Sequence, residues 1–295
     1  MATENIASFN RLNDSYFKYA IATEENKDLT IAFLNAAMRD LEPDGGAPLI
    51  EDVVFLDRES SPFREHAKAP RFDVLVKTAG GWTFHIEVQV AKEPFFLKRG
   101  FFYTVSDYFT QARRGMGYGE LRPVIFIGLA DFFLFGTLLR PRQWHTLHRI
   151  LNVRTGEWQF QDVEFHIVEL PVMRELLVYP ETEFQRMLCY FGNIGGDELM
   201  EELAAQDHRI ERLRQVEEIF RSDPMLWRNY IVQERAHIDY LATIKGNRAE
   251  ARAEGEMRGR REEKLSTARR MREMGLTAEQ ISQATGLSAA EIEGL

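Results

Sequence analysis

The stretch from Arg71 to Val90 leaves its chain little conformational freedom. Two runs, Arg71–Lys77 and Trp82–Val90, alternate apolar and polar residues on either side of Ala79-Gly80-Gly81. Alternation with a period of two marks a strand with one buried face, and a glycine pair between two such runs marks a hairpin. A three-residue loop pairs Thr78 with Trp82, Val76 with Phe84, Val74 with Ile86 and Phe72 with Val88, so that one face is wholly apolar. A two-residue loop would set Phe72 against Gln89 and mix the faces. A one-residue slip moves every side chain to the wrong side, so the need for one buried face selects the longer loop.

That register has a cost on the other face. Asp73 falls opposite Glu87, with His85 and Gln89 one step to either side on the same strand. Opposed side chains have Cβ atoms about 4.5–5.5 Å apart, and two carboxylates at that separation repel. A shared proton or a bound cation relieves the repulsion. Carboxylate and carbonyl oxygens are the ligands hard Mg2+ prefers. Asp73, Glu87 and the Gln89 side-chain oxygen form an oxygen-only partial shell, with room for water and a phosphate. Such a set suits metal-assisted hydrolysis of a phosphodiester. The bland alternative is two exposed acids on a solvated strand. Against it stand the low strand propensity of Asp and the repulsion itself. His85 reads as a satisfied, partly buried histidine, since no second clustered His and no Cys supports a zinc site.

The rest of the chain reads as helices around a small mixed sheet, then helices alone. Leu29, Ala32, Phe33, Ala36 and Ala37 predict a helix that Pro43-Asp44-Gly45-Gly46 stops. Further strands are expected at Glu51–Asp57, Pro123–Leu129 and Val163–Leu170, the last closed by Pro171. Between the strand ending at Val90 and the one starting at Pro123 lies a helix whose apolar face is expected to be Phe101, Val105, Tyr108, Phe109, Ala112 and Met116, with Gly115 and Gly117 as terminators. The expected domains are a core over 1–175, a helical extension over 176–245, and a charged helix with a short helix-turn-helix-like tail over 246–295. Capping boxes Thr277/Gln280 and Ser288/Glu291 predict two short helices in that tail. Its last helix carries only Glu291 and Glu293 as charges, which favours packing or homo-oligomer assembly over DNA reading.

Composition removes several classes. Lys and Arg number 37 against 46 Asp and Glu, a net charge of −9, which excludes a wholly basic nucleic-acid coat but not a local basic groove. The single cysteine, Cys189, excludes intrachain disulfides and iron–sulfur clusters and fits a reducing cytoplasm. The run Val124–Leu139 is too short and too interrupted for a membrane helix, and no signal peptide is visible near Glu4, Arg11 and Asp14. A cytoplasmic protein without a membrane span is expected.

Other charged groups are weaker candidates. Arg99 and Tyr103 sit on the polar side of their helix and face either phosphate or water. Arg113, Arg114 and Arg122 add positive charge where that helix ends, suited to a DNA backbone or to the helix dipole. Asp14 and Lys18, at i and i+4, read as a surface ion pair. His145 and His148, among Arg140, Arg142 and Arg149, read as a basic solvated helix.

Taken together these residues resemble a known family. Asp73, then Glu87-Val-Gln89 after a short hairpin, then a helix, resembles the PD-(D/E)xK nuclease superfamily. Asn13-Asp14-Ser-Tyr-Phe17-Lys18, Glu24 to Asp28, Arg99 with Tyr103, Phe165 to Leu170, and the tail from Gly275 to Ser288 resemble its recombination-promoting nuclease and transposase branch. The resemblance implies an α/β restriction-endonuclease-like core, a central mixed sheet flanked by helices, with an all-helical C-terminal part. It implies a Mg2+-dependent DNA endonuclease, with Mn2+ as a substitute ion, acting in transposition, recombination or defence against mobile DNA. Asp73, Glu87 and Gln89 would be the metal ligands. Gln89 stands where the superfamily signature has lysine, and Lys92 or Arg99 would then supply the missing charge. Acids of the first helices, Asp14 and Glu25, are further candidates for the metal site. The rival expectation is a catalytically inactive DNA-binding or regulatory oligomer that keeps this fold.

Overall fold

The computed structural model describes residues 9–41, 48–56, 73–135 and 142–295. It falls into two compact units, Met1–Glu234 and Arg235–Leu295. The first unit is built on a six-stranded mixed sheet: β1 (Val53–Phe55), β2 (Val74–Thr78), β3 (Thr83–Gln89), β4 (Val124–Ala130), β5 (His145–Ile150) and β6 (Phe160–Glu169), in the order β1-β2-β3-β4-β6-β5. The β3–β4 and β4–β6 pairs are parallel and the other three antiparallel. Every residue of β4 is buried, as a continuous apolar run in the middle of a parallel block requires.

The hairpin adopts the register its apolar face selects. Val74 pairs with Ile86 and Val76 with Phe84, and Thr78 closes on Trp82 through a 2.9 Å backbone hydrogen bond. Gly81 takes φ +86, a left-handed value that a side chain would disfavour. Phe72, the expected partner of Val88, lies outside the described residues, as do Arg140 and the Pro43–Gly46 helix stop.

Helices cover the two sheet faces unequally. α1 (Asp14–Ile21) begins at Asn13, whose side chain caps the Ser15 N–H, and α2 (Lys27–Asp40) follows a single 3-10 turn. Together with the later helices α5 (Glu183–Phe191) and α7 (His208–Ser222), they bury Phe17, Phe33, Phe184, Phe191 and Phe220 in one core with Phe84, Ile86, Ile125 and Ile127 of the sheet. The opposite face meets α3 (Phe96–Thr110), which links β3 to β4. Here, among the described residues, Phe96, Phe126 and Ile167 form a small buried cluster, with Tyr103, Leu134, Phe135 and Phe165 partly buried against it.

Three expectations are corrected. The 145–150 stretch is a strand, not a basic helix: His145 and Thr146 are buried, and the edge strand pairs antiparallel with β6. α3 ends at Thr110, before Ala112 and Met116, and it buries Phe96, Gly100 and Thr104 while Phe101, Val105 and Phe109 stay exposed. The reason is steric. A Cβ on Gly100 would lie 2.7 Å from Phe126 Cζ, so the sheet's ring is accommodated only where the helix has no side chain. Pro171 does not close β6 as a breaker but sits in the first turn of α4 (Leu170–Leu176), where its missing N–H costs nothing.

C-terminal to α5, α6 (Gly196–Gln206) precedes α7, and α8 (Pro224–Glu273) is a single 50-residue helix that includes the charged stretch and the boundary between the units. The second unit ends in α9 (Ala278–Thr285) and α10 (Ala289–Glu293), each opened by its expected capping box. Ile281, Leu287 and Ile292 bury themselves there against Ala268. No helix among the described residues is long and apolar enough to cross a membrane.

Candidate active site

Alternation along β3 sends His85, Glu87 and Gln89 to the face that α3 covers, in row with Phe126, Gly128 and Ala130 of β4. The β2–β3 ladder ends at the Val74–Ile86 pair, and Asp73 stands one step beyond it. There the Asp73 carboxylate accepts the Val88 N–H at 2.6 Å, which fixes it beside the end of β3.

α1 brings two more groups to Asp73. The Asp14 carboxyl hydrogen-bonds that of Asp73, and Lys18 pairs with Asp14 while its Nζ lies 3.5 Å from Asp73 Oδ1. Burial pushes the Asp73 carboxyl up to about 8, the neighbouring Asp14 adds to the rise, and Lys18 and the Val88 N–H pull against it. Such a value means that the ionised form has too little compensation where it stands.

Glu87 is buried and leans the other way. Its Oε1 accepts from Arg99 Nε at 3.1 Å, and the same guanidinium donates to Gln89 Oε1 at 2.7 Å and Glu93 at 3.2 Å. Burial raises the Glu87 carboxyl and the Arg99 charge lowers it, with the rise prevailing. Its second oxygen, Oε2, is buried and has no hydrogen-bond partner among the described residues. An unsatisfied buried carboxylate oxygen is costly and calls for a cationic or donor partner.

The expected residues thus separate into two groups. Glu87, Gln89 and Arg99 share one hydrogen-bonded cluster at the end of β3, and Asp73 is held beside that strand by the Val88 N–H. Lys92 does not reach the carboxylates: its ammonium donates to the Phe133 carbonyl at 3.0 Å. Glu25 is exposed on the 3-10 turn, where its neighbours are Tyr19 and Arg212. His85 is fully buried with Nε2 2.7 Å from Asp107 of α3. Lys18 is the residue that sequence reasoning passed over. Its signals were the i, i+4 pairing with Asp14 and its place in the Asn13–Lys18 motif, and neither reveals that α1 docks against Asp73.

Among the described residues no three His, Cys, Asp or Glu side chains converge as ligands around one point. The positive charge beside the acids is that of Lys18 and Arg99. The donor chemistry nevertheless fits a hard divalent cation: the acids offer oxygen only, and one buried oxygen of Glu87 has no partner among the described residues.

Residues 11–247 match the model of the PD-(D/E)XK nuclease family transposases. The chain belongs to that family. No curated protein and no solved structure matches it. Family membership accounts for the architecture, since the matched residues contain the whole mixed sheet and the helices that flank it. It also makes nuclease- or transposase-related chemistry the functional setting in which Asp14, Lys18, Asp73, Glu87, Gln89 and Arg99 are to be understood.

Proposed function

We propose that this family member is a metal-dependent DNA endonuclease that hydrolyses phosphodiester bonds, using Mg2+ with Mn2+ as a substitute, in transposition- or recombination-related processing or in defence against mobile DNA. The observation that carries this reading is the buried Glu87 oxygen without a partner, beside an Asp73 carboxyl crowded by Asp14. Asp73 and Glu87 hold the cation, with Asp14 and the Gln89 side-chain oxygen as supplementary donors. The cation, when bound, polarises the phosphate and lowers the pKa of water. Arg99 positions Glu87 and Gln89 through one guanidinium. Lys18 stands 3.5 Å from Asp73 and supplies the ammonium that Gln89, at the signature's lysine position, cannot. DNA is the partner, and the helical C-terminal part is a candidate surface for self-assembly.

The test is plasmid nicking by purified protein with Mg2+, Mn2+ or EDTA, alongside calorimetric titration of Mn2+. Asp73→Ala and Glu87→Ala are expected to lower the cleavage rate at least a hundredfold, roughly what loss of one charged donor costs at such sites, and to weaken Mn2+ binding. Lys18→Ala should slow cleavage while leaving Mn2+ binding in place. Wild-type protein that binds neither ion and cuts nothing would favour the regulatory DNA-binding alternative.

A further inference from the structure

Helix α3 has two apolar faces and buries only one. Phe96, Gly100 and Thr104 meet the sheet. On the opposite side Lys98, Phe102, Val105 and Phe109 recur at helical spacing and form a stripe turned to solvent, with Phe102 57% and Phe109 65% exposed. At the N-terminal end Phe95 is held at φ 70, a left-handed conformation disfavoured for a phenylalanine, with its ring exposed and the Lys98 ammonium 5.5 Å from its centroid. Phe101 flanks the stripe and stacks on Phe165 at 5.7 Å. The apolar surface is therefore mainly aromatic.

Its charge is equally distinctive. In a chain of net charge −9, residues 95–122 carry five basic side chains, Lys98, Arg99, Arg113, Arg114 and Arg122, against two acids. Both acids have partners within this unit: Asp107 lies 2.7 Å from His85, and Glu120 accepts the Gly117 N–H. Arg113 and Arg114 are exposed. The same helix carries Arg99, whose guanidinium grips Glu87 and Gln89, and Phe102 follows it by three residues, so the stripe and the candidate active site are borne by one helix.

We propose that the outer face of α3 binds the unpaired bases of single-stranded DNA, which makes single strands, rather than uninterrupted duplex, the preferred substrate of the site. This rests on the endonuclease reading above. Exposed rings stack on any base whose faces are free, while Lys98 in the stripe and the exposed Arg113 and Arg114 beyond its end contact the phosphates. In a duplex the base faces are already stacked on one another, and the rings have nothing to receive. A second copy of the chain is the other conceivable occupant. A two-fold interface through this face would bring Lys98 of both copies, and Arg113 and Arg114 of both, towards one another, and like charges oppose that.

The experiment is fluorescence anisotropy of the full-length protein in EDTA, with a labelled oligothymidylate of roughly 20 nucleotides and a duplex of the same length. Tighter binding of the single strand is expected. Phe102→Ala and Phe109→Ala should each weaken it roughly tenfold, and Phe102→Trp should preserve it. Equal affinity for both DNAs, unmoved by these substitutions, would overturn the proposal. So would light scattering that finds a wild-type dimer which Phe102→Ala converts to monomer. Binding is read without cleavage, so the two readings fail separately. Single-strand binding by a protein that never cuts DNA removes the nuclease alone, and duplex nicking without single-strand preference removes this inference alone.

Discussion

On one face of the sheet Phe17, Phe33, Phe184 and Phe191 interlock beneath α1, α2 and α5; on the other, α3 covers Phe126 with Phe96 and little else. The first face is a close-packed core of rings in edge-to-face contact, and it holds most of the buried apolar surface. The second carries Glu87, Gln89 and the unpartnered carboxylate oxygen, under a helix that leaves rings in solvent. Stability is concentrated on the first face, whose α1 lends only Asp14 and Lys18 to the candidate site, and the rest of the candidate chemistry sits where packing is thin enough to admit a substrate. Elements that must bind or move are drawn from the less stable parts of a fold.

The largest effect that sharpens this contrast is on stability. Phe33 is fully buried, 5.5 Å from the Phe184 ring and 6.3 Å from the Phe191 ring. Phe33→Ala should cost about 3–5 kcal/mol in chemical denaturation, as ring-to-Ala changes in cores do. Phe102→Ala, on the outer side of α3, should stay within about 0.5 kcal/mol. Similar losses for both would erase the distinction between the faces.

A smaller effect tests whether α3 is spaced for chemistry. A methyl group at residue 100 meets Phe126 at 2.7 Å, so the helix or the ring must move. Overpacking of this kind costs about 1–3 kcal/mol, against the roughly 1 kcal/mol that Ala gains over Gly in helix propensity. Gly100→Ala should therefore lower stability only modestly. Because Arg99 is adjacent, the shift should separate its guanidinium from Glu87 and Gln89, and the nicking rate should fall further than stability does. Unchanged nicking beside a measured loss of stability would show that Arg99 has no positioning role.

These two regions were unequally legible. The hairpin register was readable for Val74 with Ile86 and Val76 with Phe84 because one apolar face selects the three-residue loop, and with it came the position of Asp73 beside the end of β3. The α3 face was not, because periodicity ranks side chains by hydrophobicity, whereas the buried side was chosen by a missing one at Gly100. The β5 strand hid behind His145, His148 and Arg149, which look like a solvated run until Asp40 and Glu164 are placed beside them. Lys18 was invisible as a site residue because its role depends on where α1 docks, a tertiary fact that no local spacing carries.

The smallest effect concerns a polar inset on the dense face. His145 of β5 is buried against Phe184, with Nδ1 2.8 Å from Asp40 of α2 and Nε2 3.1 Å from His166 of β6; beyond His166, Glu164 pairs with Arg149. Burial lowers the affinity of His145 for a proton, His166 lowers it further, and Asp40 raises it, with the lowering prevailing. In the unfolded chain a histidine titrates near an ordinary value of about 6.5. Below that pH the unfolded state takes up a proton that folded His145 still refuses, so the stability this site contributes above pH ~6.5 is lost as pH falls through its folded value. One site can impose a slope of at most about 1.4 kcal/mol per pH unit. His145→Gln should lower stability at neutral pH and flatten the decline between pH ~6.5 and ~5, so that the two proteins converge on acidification. A stability difference that stays constant, or widens, as pH falls would mean that His145 is charged in the folded protein and paired with Asp40, and the dense face would then contain a buried ion pair rather than a neutral relay.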